Sequence, residues 1–583
     1  MEKPSISPAR CQRVKPADAS NADFRNGNRL PCKGTMKTLR IVTLLGAIAL
    51  LLVIPFTALG YSGNDYLFHL TSWMEMRSAW SHGVFVPGWA TRANFGLGSP
   101  RFCFYPPVSI WIGVLLSFIL PWRIVPGAFV WLMVVIGGAS MYVASALFIR
   151  EEDRLPVTVL YSVSPYLLIT AIHRFDAAEL CALSVLPLVV GFYFRAVWCL
   201  QGSAVLPLAL LLALTNCTDV PAAIALAYML FLGCLVAACV NRLWGPLIYY
   251  VTAGTLSIAI SAFTLLPPLY EQRWISVKML YRGNDFHQFF LLALFGDANL
   301  SFRIVLWMIT LTAVGISIAC MVAGRSPFQL SDRMLITFVC IASVAQLPVI
   351  APLWNYLPEL KVVQYPFRFL SFYGVCVPLL LLSSGAEPRL RRSAYAVLAA
   401  TALLAYGGYW RHALGRDGGA HPEFGPDFNS LQAGYPGWPE YIPRGGKWAY
   451  RLTSDLPPGS VRAIGQPGCH VALVSRGYLS ERFAVTSAET CRLHVETYYY
   501  PFWRATDGSG APLSVSADPG NLLVVSVPLR EHDVRLWFHA TSHLRIVADW
   551  MTVVAIVLVF GAQARNWALK RREGRVGESA SVP

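Results

Sequence analysis

Long apolar stretches separated by short polar loops recur from residue 41 to residue 411, and one more stands near the C-terminus. A bilayer-spanning helix needs about 20 predominantly apolar residues. On that measure the pattern predicts spans over 41–60, 126–148, 155–172, 178–194, 204–217, 219–240, 245–268, 303–323, 335–352, 368–385, 394–411 and 547–564, about twelve in all. The stretch 106–121 is apolar as well, but it is short and lies between Pro106-Pro107 and Pro121-Trp122. Its status follows from the distribution of basic residues. If it lies along the interface, then the basic N-terminus, Arg150/Arg154, Arg195, Arg242, Arg325/Arg333, Arg389/Arg391/Arg392 and Lys570/Arg571/Arg572 share one side. That side is the cytoplasmic one by the positive-inside rule, which places both termini there. A crossing at 106–121 would flip every later loop, so the segment is expected to be interfacial.

The opposite, external side then receives 61–125, the short turn 173–177, the loops 269–302 and 353–367, and one large hydrophilic block over 412–545. In that block period-2 alternation replaces the helical runs, as in Arg492-Leu493-His494-Val495-Glu496-Thr497-Tyr498, and Asp507-Gly508 and Pro519-Gly520 supply turns. The expected architecture is a polytopic α-helical membrane protein with a C-terminal external β-rich domain. Its parts are a disordered basic tail (1–35), a transmembrane bundle (36–411) with its first external loop at 61–125, the β-rich domain (412–545), a last span (546–565) and a basic cytoplasmic tail (566–583). Met36-Lys37-Thr38-Leu39-Arg40 reads as a natural start by itself, with 41–60 as a retained signal anchor.

Composition narrows the class. Of 583 residues, 55% are hydrophobic and only 14% charged, a balance that membrane insertion explains and a mixture of soluble domains does not. The net charge of +15 lies in tails and loops and forms no continuous patch, which argues against nucleic acid. Thirteen cysteines include no Cys-x-x-Cys pair, so zinc-ribbon and thioredoxin readings fall away. Cys469 and Cys491 share the polar block, where an oxidising compartment would allow a disulfide.

Candidate chemistry concentrates after the first span. Asp65 and His69 stand four residues apart, and if the run before them spans the bilayer the pair emerges at the far membrane surface on one face of a helix. An ionisable pair at a membrane boundary is costly to hold. The same loop carries Glu75, ten residues beyond Asp65, which reads first as a surface charge, and Trp89, Phe104 and Tyr105, whose rings suit a sugar, an isoprenoid chain or an interfacial belt. Arg174 and Arg368 stand at the external ends of spans, where an arginine either snorkels or holds a phosphate, and Glu179 could pair with Arg174 or bind substrate. Arg273, Lys278, Asp285 and His287 read as solvated loop charge or a substrate gate.

Taken together, Asp65 and His69, Pro87-Gly88-Trp89, the glycine run from Asn94 to Pro100, Phe104-Tyr105-Pro106-Pro107, Glu179 before Leu186-Pro187, Leu266-Pro267-Pro268, Gln364-Tyr365-Pro366-Phe367-Arg368 and Tyr499-Tyr500-Pro501-Phe502-Trp503 resemble a known family. They resemble the GT-C superfamily of membrane glycosyltransferases, and within it the bacterial membrane proteins labelled 6-pyruvoyl-tetrahydropterin synthase-related. The likeness covers most of 40–565. It departs at His173-Arg174-Phe175-Asp176, where an Arg-Gly-Ala-type turn is expected, so no role for Asp176 carries over. The label's pterin chemistry has no support in eleven dispersed histidines. The resemblance implies a sugar moved from a polyprenyl-phosphate donor to a cell-envelope acceptor at the external face of the plasma membrane. Asp65 would be the general base, His69 its partner or a ligand to a divalent metal, and Glu75, Trp89, Tyr105, Arg174, Glu179 and Arg368 would contact substrate. Membrane lipids are the other expected partners. A non-enzymatic flippase or exporter of lipid-linked glycans, or an envelope-assembly scaffold, would use many of the same features.

Overall fold

A computed structural model describes residues 32–59, 63–282, 286–291, 300–324, 329–415, 434–446, 461–463 and 468–579. The expected disordered tail lies outside these as far as residue 31, and so does Asp285; residues 32–35 open the first helix. The helices that frame the molecule are α1 (Cys32–Leu59), α2 (Tyr66–Ser81), α3 (Val108–Ile119), α4 (Val125–Ser145), α5 (Glu151–Arg174), α6 (Ala177–Trp198), α7 (Val205–Asn216), α8 (Val220–Asn241), α9 (Gly245–Ile260), α10 (Ala262–Glu271), α11 (Leu300–Ala323), α12 (Leu330–Val344), α13 (Pro366–Ser383), α14 (Pro388–Gly415) and α15 (His543–Ser579).

Among the described residues, seven helices are long and apolar enough to cross a membrane, or nine if each of two bent pairs is one span. Their surfaces require an apolar solvent. Helix α15 exposes Trp550 (64%), Leu558 (67%) and Phe560 (70%), side chains that water would penalise and hydrocarbon does not. Segment 106–121 forms α3, whose 12 residues extend about 18 Å, short of the ~30 Å hydrocarbon core. The runs 245–268 and 335–352, expected as single spans, are bent pairs. The first turns by 77° between α9 and α10, and the second by 78° after α12, where Pro348 cannot supply the next helical N–H.

The bundle's centre is α6 and α13. Nearly every residue of α6 is buried, among them Leu180, Leu183, Val189 and Tyr193, and so is α13 from Pro366 to Leu370 and along most of its remaining length. Helix α4 packs along α6 and α1, while α12 lies against α13. Charged residues at the first turns of the two most enclosed helices therefore face protein.

The C-terminal block forms eight antiparallel strands: β1 (Val461–Ala463), β2 (Cys469–Arg476), β3 (Ser480–Ser487), β4 (Cys491–Tyr498), β5 (Trp503–Thr506), β6 (Pro512–Ala517), β7 (Leu522–Val527) and β8 (Arg530–Phe538). Their order is β1-β4-β7-β6-β5-β8-β3-β2, and Cys469 is disulfide-bonded to Cys491. The alternation in β4 predicts one wet face, yet His494 and Glu496 are also buried, and Thr497 Oγ1 donates to Leu97 O in the first loop (2.9 Å). Tyr500, Phe502 and Trp503 lie in the domain core and present no open face to a carbohydrate.

Candidate functional site

The segment Gly63-Asn64-Asp65 runs against the turn that joins α5 to α6. Asn64 N donates to His173 O (3.2 Å) and Asp65 N to Arg174 O (2.8 Å). Only glycine permits this approach at 63, because a Cβ there would stand 2.6 Å from the Arg174 carbonyl carbon and the Phe175 nitrogen. On the other strand of the turn, Phe175 takes the left-handed conformation (φ 49°), which sends Arg174 and Asp176 to the same cluster. Asp176 Oδ1 caps α6 by accepting from Glu179 N (3.0 Å). Local backbone geometry thus sets four ionisable groups at one point: Asp65, Arg174, Asp176 and Glu179.

Helices α8 and α13 complete the cluster with Asp219 and Arg368. Arg174 pairs with Glu179 in a short contact, with Asp176 at 2.6 Å, and with Asp65 at 3.8 Å. Arg368 lies 2.9 Å from Glu179, 3.0 Å from Asp219 and 3.5 Å from Asp176. Tyr166 hydroxyl donates to the remaining Glu179 oxygen. The Tyr365 ring sits over both guanidiniums, 5.4 Å from that of Arg174 and 5.8 Å from that of Arg368. Gln364, at φ 66° and ψ −47°, forms a strained γ-turn closed by Tyr365 N donating to Val363 O (2.7 Å), and its side-chain oxygen accepts from Arg368 (3.2 Å). Four carboxylates face two guanidiniums, so the cluster is net acidic when all are ionised.

The carboxylates are not equivalent. Asp176, Glu179 and Asp219 are buried, whereas 43% of the Asp65 side-chain surface remains accessible. Enclosing protein still raises the Asp65 carboxyl above its ordinary value; Arg174 opposes that shift and Asp176 adds to it. For Asp176 burial also pushes upward, but the guanidiniums of Arg174 and Arg368 outweigh it and hold the carboxyl well below the usual range. Asp219 is pushed up to about 7 by burial, with Arg368 opposing and the negative charges of Asp176 and Glu179 reinforcing.

Of the residues singled out in the sequence, Asp65, His69, Arg174, Glu179 and Arg368 converge here. His69 is 1% exposed; its Nε2 accepts from Ala177 N (3.2 Å) and lies 3.7 Å from Asp176 Oδ1. It therefore partners Asp176 and the start of α6, and Asp65 meets Arg174. Tyr105 borders the site, 4.8 Å from the Phe68 ring and 6.1 Å from that of His69. Glu75 is not at the cluster and is no surface charge. It is completely buried, accepting from Thr91 (3.1 Å), Arg92 N (2.6 Å), Tyr435 (3.2 Å) and Tyr478 (3.2 Å), which leaves no open face for substrate. Trp89 is likewise inside the β-domain core, against Tyr500, Trp503 and Phe538, and offers no free ring.

Sequence reasoning missed Asp219, Tyr166 and the part played by Asp176. The available signal was an acid at the start of an apolar run, the pattern already noticed at Glu179; placing Asp219 inside the span 219–240 hid it. Asp176, Glu179 and Asp219 offer oxygens within 4.8 Å of one another, a spacing a divalent cation accepts. The donor set does not fit one, because Asp176 and Glu179 are taken by two guanidiniums, a backbone N–H and a tyrosine hydroxyl. His69 Nε2, accepting from Ala177 N, is no free ligand either.

No protein-family model matches the chain, and no curated protein matches it. Among solved structures the chain is similar to the cryo-EM structure of arabinofuranosyltransferase AftD from Mycobacteria, at 17% sequence identity and a TM-score of 0.39. The likeness covers 64% of this chain and 27% of AftD, so the chain spans about a quarter of that protein's length.

Proposed function

We propose that the protein is an integral-membrane glycosyltransferase of GT-C type that moves a sugar from a polyprenyl-phosphate donor to a cell-envelope acceptor. In this reading about twelve helices cross the plasma membrane, both termini are cytoplasmic, and the cluster and the β-rich domain face the exterior. The observation that carries it is one accessible carboxylate, Asp65, beside the buried Arg174 guanidinium, with the buried Arg368 guanidinium in the same cluster, at the end of an apolar bundle.

The chemistry follows from those positions. Asp65 takes the proton of the acceptor hydroxyl as its oxygen attacks the anomeric carbon. The bond from that carbon to the phosphate oxygen breaks, and its electron pair leaves with the lipid phosphate. A base raised toward neutral pH accepts a proton more readily than an ordinary aspartate. Arg368 and Arg174 would offset the charge that gathers on the departing phosphate, in a site shielded from water. The isoprenoid tail stays among lipids while the reacting atoms meet the cluster. Asp176 and Glu179 hold the guanidiniums in register.

The test is turnover in proteoliposomes of a panel of polyprenyl-phosphate sugars, followed by release of polyprenyl phosphate. Wild-type turnover that Asp65→Asn abolishes supports a transferase with its base at 65. No turnover of any donor, or equal turnover in both proteins, overturns the reading, and export of lipid-linked material becomes the next activity to measure.

A further inference from the structure

Three buried carboxylates share two guanidiniums, and the sharing is uneven. Asp176 and Glu179 each contact both Arg174 and Arg368. Among the described residues, Asp219 forms an ion pair with Arg368 alone, at 3.0 Å. Asp219 precedes α8, but its side chain makes no capping bond to that helix, so its contact with Arg368 is not a by-product of helix formation. Arg368 has donor capacity to spare, since its Nε is buried and has no hydrogen-bond partner among the described residues. A small cavity of about 30 Å³, lined by Arg368, Glu179, Thr215 and Ser371, adjoins its head group.

We propose that Asp219 is a positioning residue, a proton-operated latch that withholds one N–H of Arg368 from an anionic phosphate when ionised and yields it when protonated. This rests on the reading of the cluster as a lipid-phosphate site. The charge balance explains why a latch is needed. With all four carboxylates ionised, a phosphate would enter a site already net negative, and like charges at these distances repel strongly in a low-dielectric setting. Neutralising Asp219 removes one negative charge and frees the N–H that bonded it. Asp219 is the carboxylate suited to change state: burial places it near neutrality, while Asp176 is held ionised. The titratable and charged groups facing it are Arg368, Arg174, Asp176 and Glu179, with Tyr105, Tyr441 and Cys181 within electrostatic reach. Its contact with Arg368 means that donor binding takes up a proton at 219, so affinity falls as pH rises past Asp219's own value.

The experiment is equilibrium binding of polyprenyl methyl phosphate to the full-length protein in nanodiscs. This probe is a phosphodiester whose charge is constant near neutrality, and its binding is read without any turnover. Wild type is expected to bind on the order of tenfold more weakly at about pH 8.5 than at about pH 6, the size of a typical coupling between sites. Asp219→Asn is expected to bind at the tighter level throughout, with no pH dependence. Asp219→Glu, which keeps the carboxylate, restores the dependence. Wild-type binding that is tight and independent of pH overturns the latch and leaves the transferase reading standing. The same dependence persisting in a folded Asp219→Asn also overturns it. No binding at any pH overturns both the latch and the lipid-phosphate site. If Asp219→Asn fails to fold, the wild-type profile and Asp219→Glu still decide.

Discussion

At the scale of single residues, the site depends on what stands next to a charge. Gly63 is an example: it contributes no side chain, yet it lets Asp65 N reach Arg174 O. Gly63→Ala is expected to move Asp65 away from the turn and lower transfer by about 100-fold, on the scale that small misplacements cost catalysis. Transfer rates with unchanged melting would identify the cause as geometry. The ion pairs give a second prediction. Glu179→Ala takes one carboxylate from two buried guanidiniums, which keep Asp176 and Asp219, and leaves the Tyr166 hydroxyl without its acceptor; it is expected to cost about 1–3 kcal/mol, the penalty for an unmatched buried polar group; thermal unfolding in detergent measures it. Asp65 gives a third, in pH. Its base form is the deprotonated one and its carboxyl is raised, so transfer should rise with pH along a limb displaced above the ordinary aspartate value of 3.8. A limb at or below that value would contradict the assignment.

At the scale of elements, the apolar pattern located helices well because hydrocarbon demands continuous apolar runs. The runs 126–148 and 303–323 became helices Val125–Ser145 and Phe302–Ala323, within a few residues of expectation. The pattern was silent on bends, since a run broken at Ser261 reads the same as a straight one. It also could not say which loop residues would be enclosed. Glu75 reads as a surface charge in isolation and is buried because Tyr435 and Tyr478, about 360 and 400 residues later, close over it. Glu75→Ala would take the acceptor from Arg92 N and Thr91, while Tyr435 keeps Arg101 and Tyr478 keeps the residue-75 carbonyl, at about 1–3 kcal/mol for each group left unmatched. The β-rich domain should loosen from the first loop, visible as faster limited proteolysis without loss of the helical far-UV signal. The site divides along the same line: Arg174, Glu179 and Arg368 at the ends of apolar runs were legible, Asp219 was hidden by being counted inside the run 219–240, and Asp176 needed the turn at Phe175 to acquire meaning.

Across the whole molecule, an apolar bundle and a β-rich domain meet over the first loop. Glu75 and Arg101 reach Tyr435, and Tyr498 N donates to Leu97 O. The Cys469–Cys491 disulfide joins β2 to β4, a chain separation of 22 residues. Replacing both cysteines by serine is expected to cost the β domain about 2–4 kcal/mol, mainly by freeing the unfolded chain. A reducing agent should produce the same shift in the domain's unfolding transition in wild type and none in the double variant.

In the proposed reading, Asp65 performs chemistry at a site that binds a lipid phosphate through other residues. Its most direct test measures both quantities in one preparation: donor binding and single-turnover transfer in wild type and Asp65→Asn, with a polyprenyl-phosphate sugar that wild type consumes. Asp65→Asn is expected to keep donor affinity within a few-fold and to lose about 10²–10⁴-fold in transfer, the range of a missing general base. Undiminished transfer, or a loss explained wholly by failure to bind donor, would contradict it.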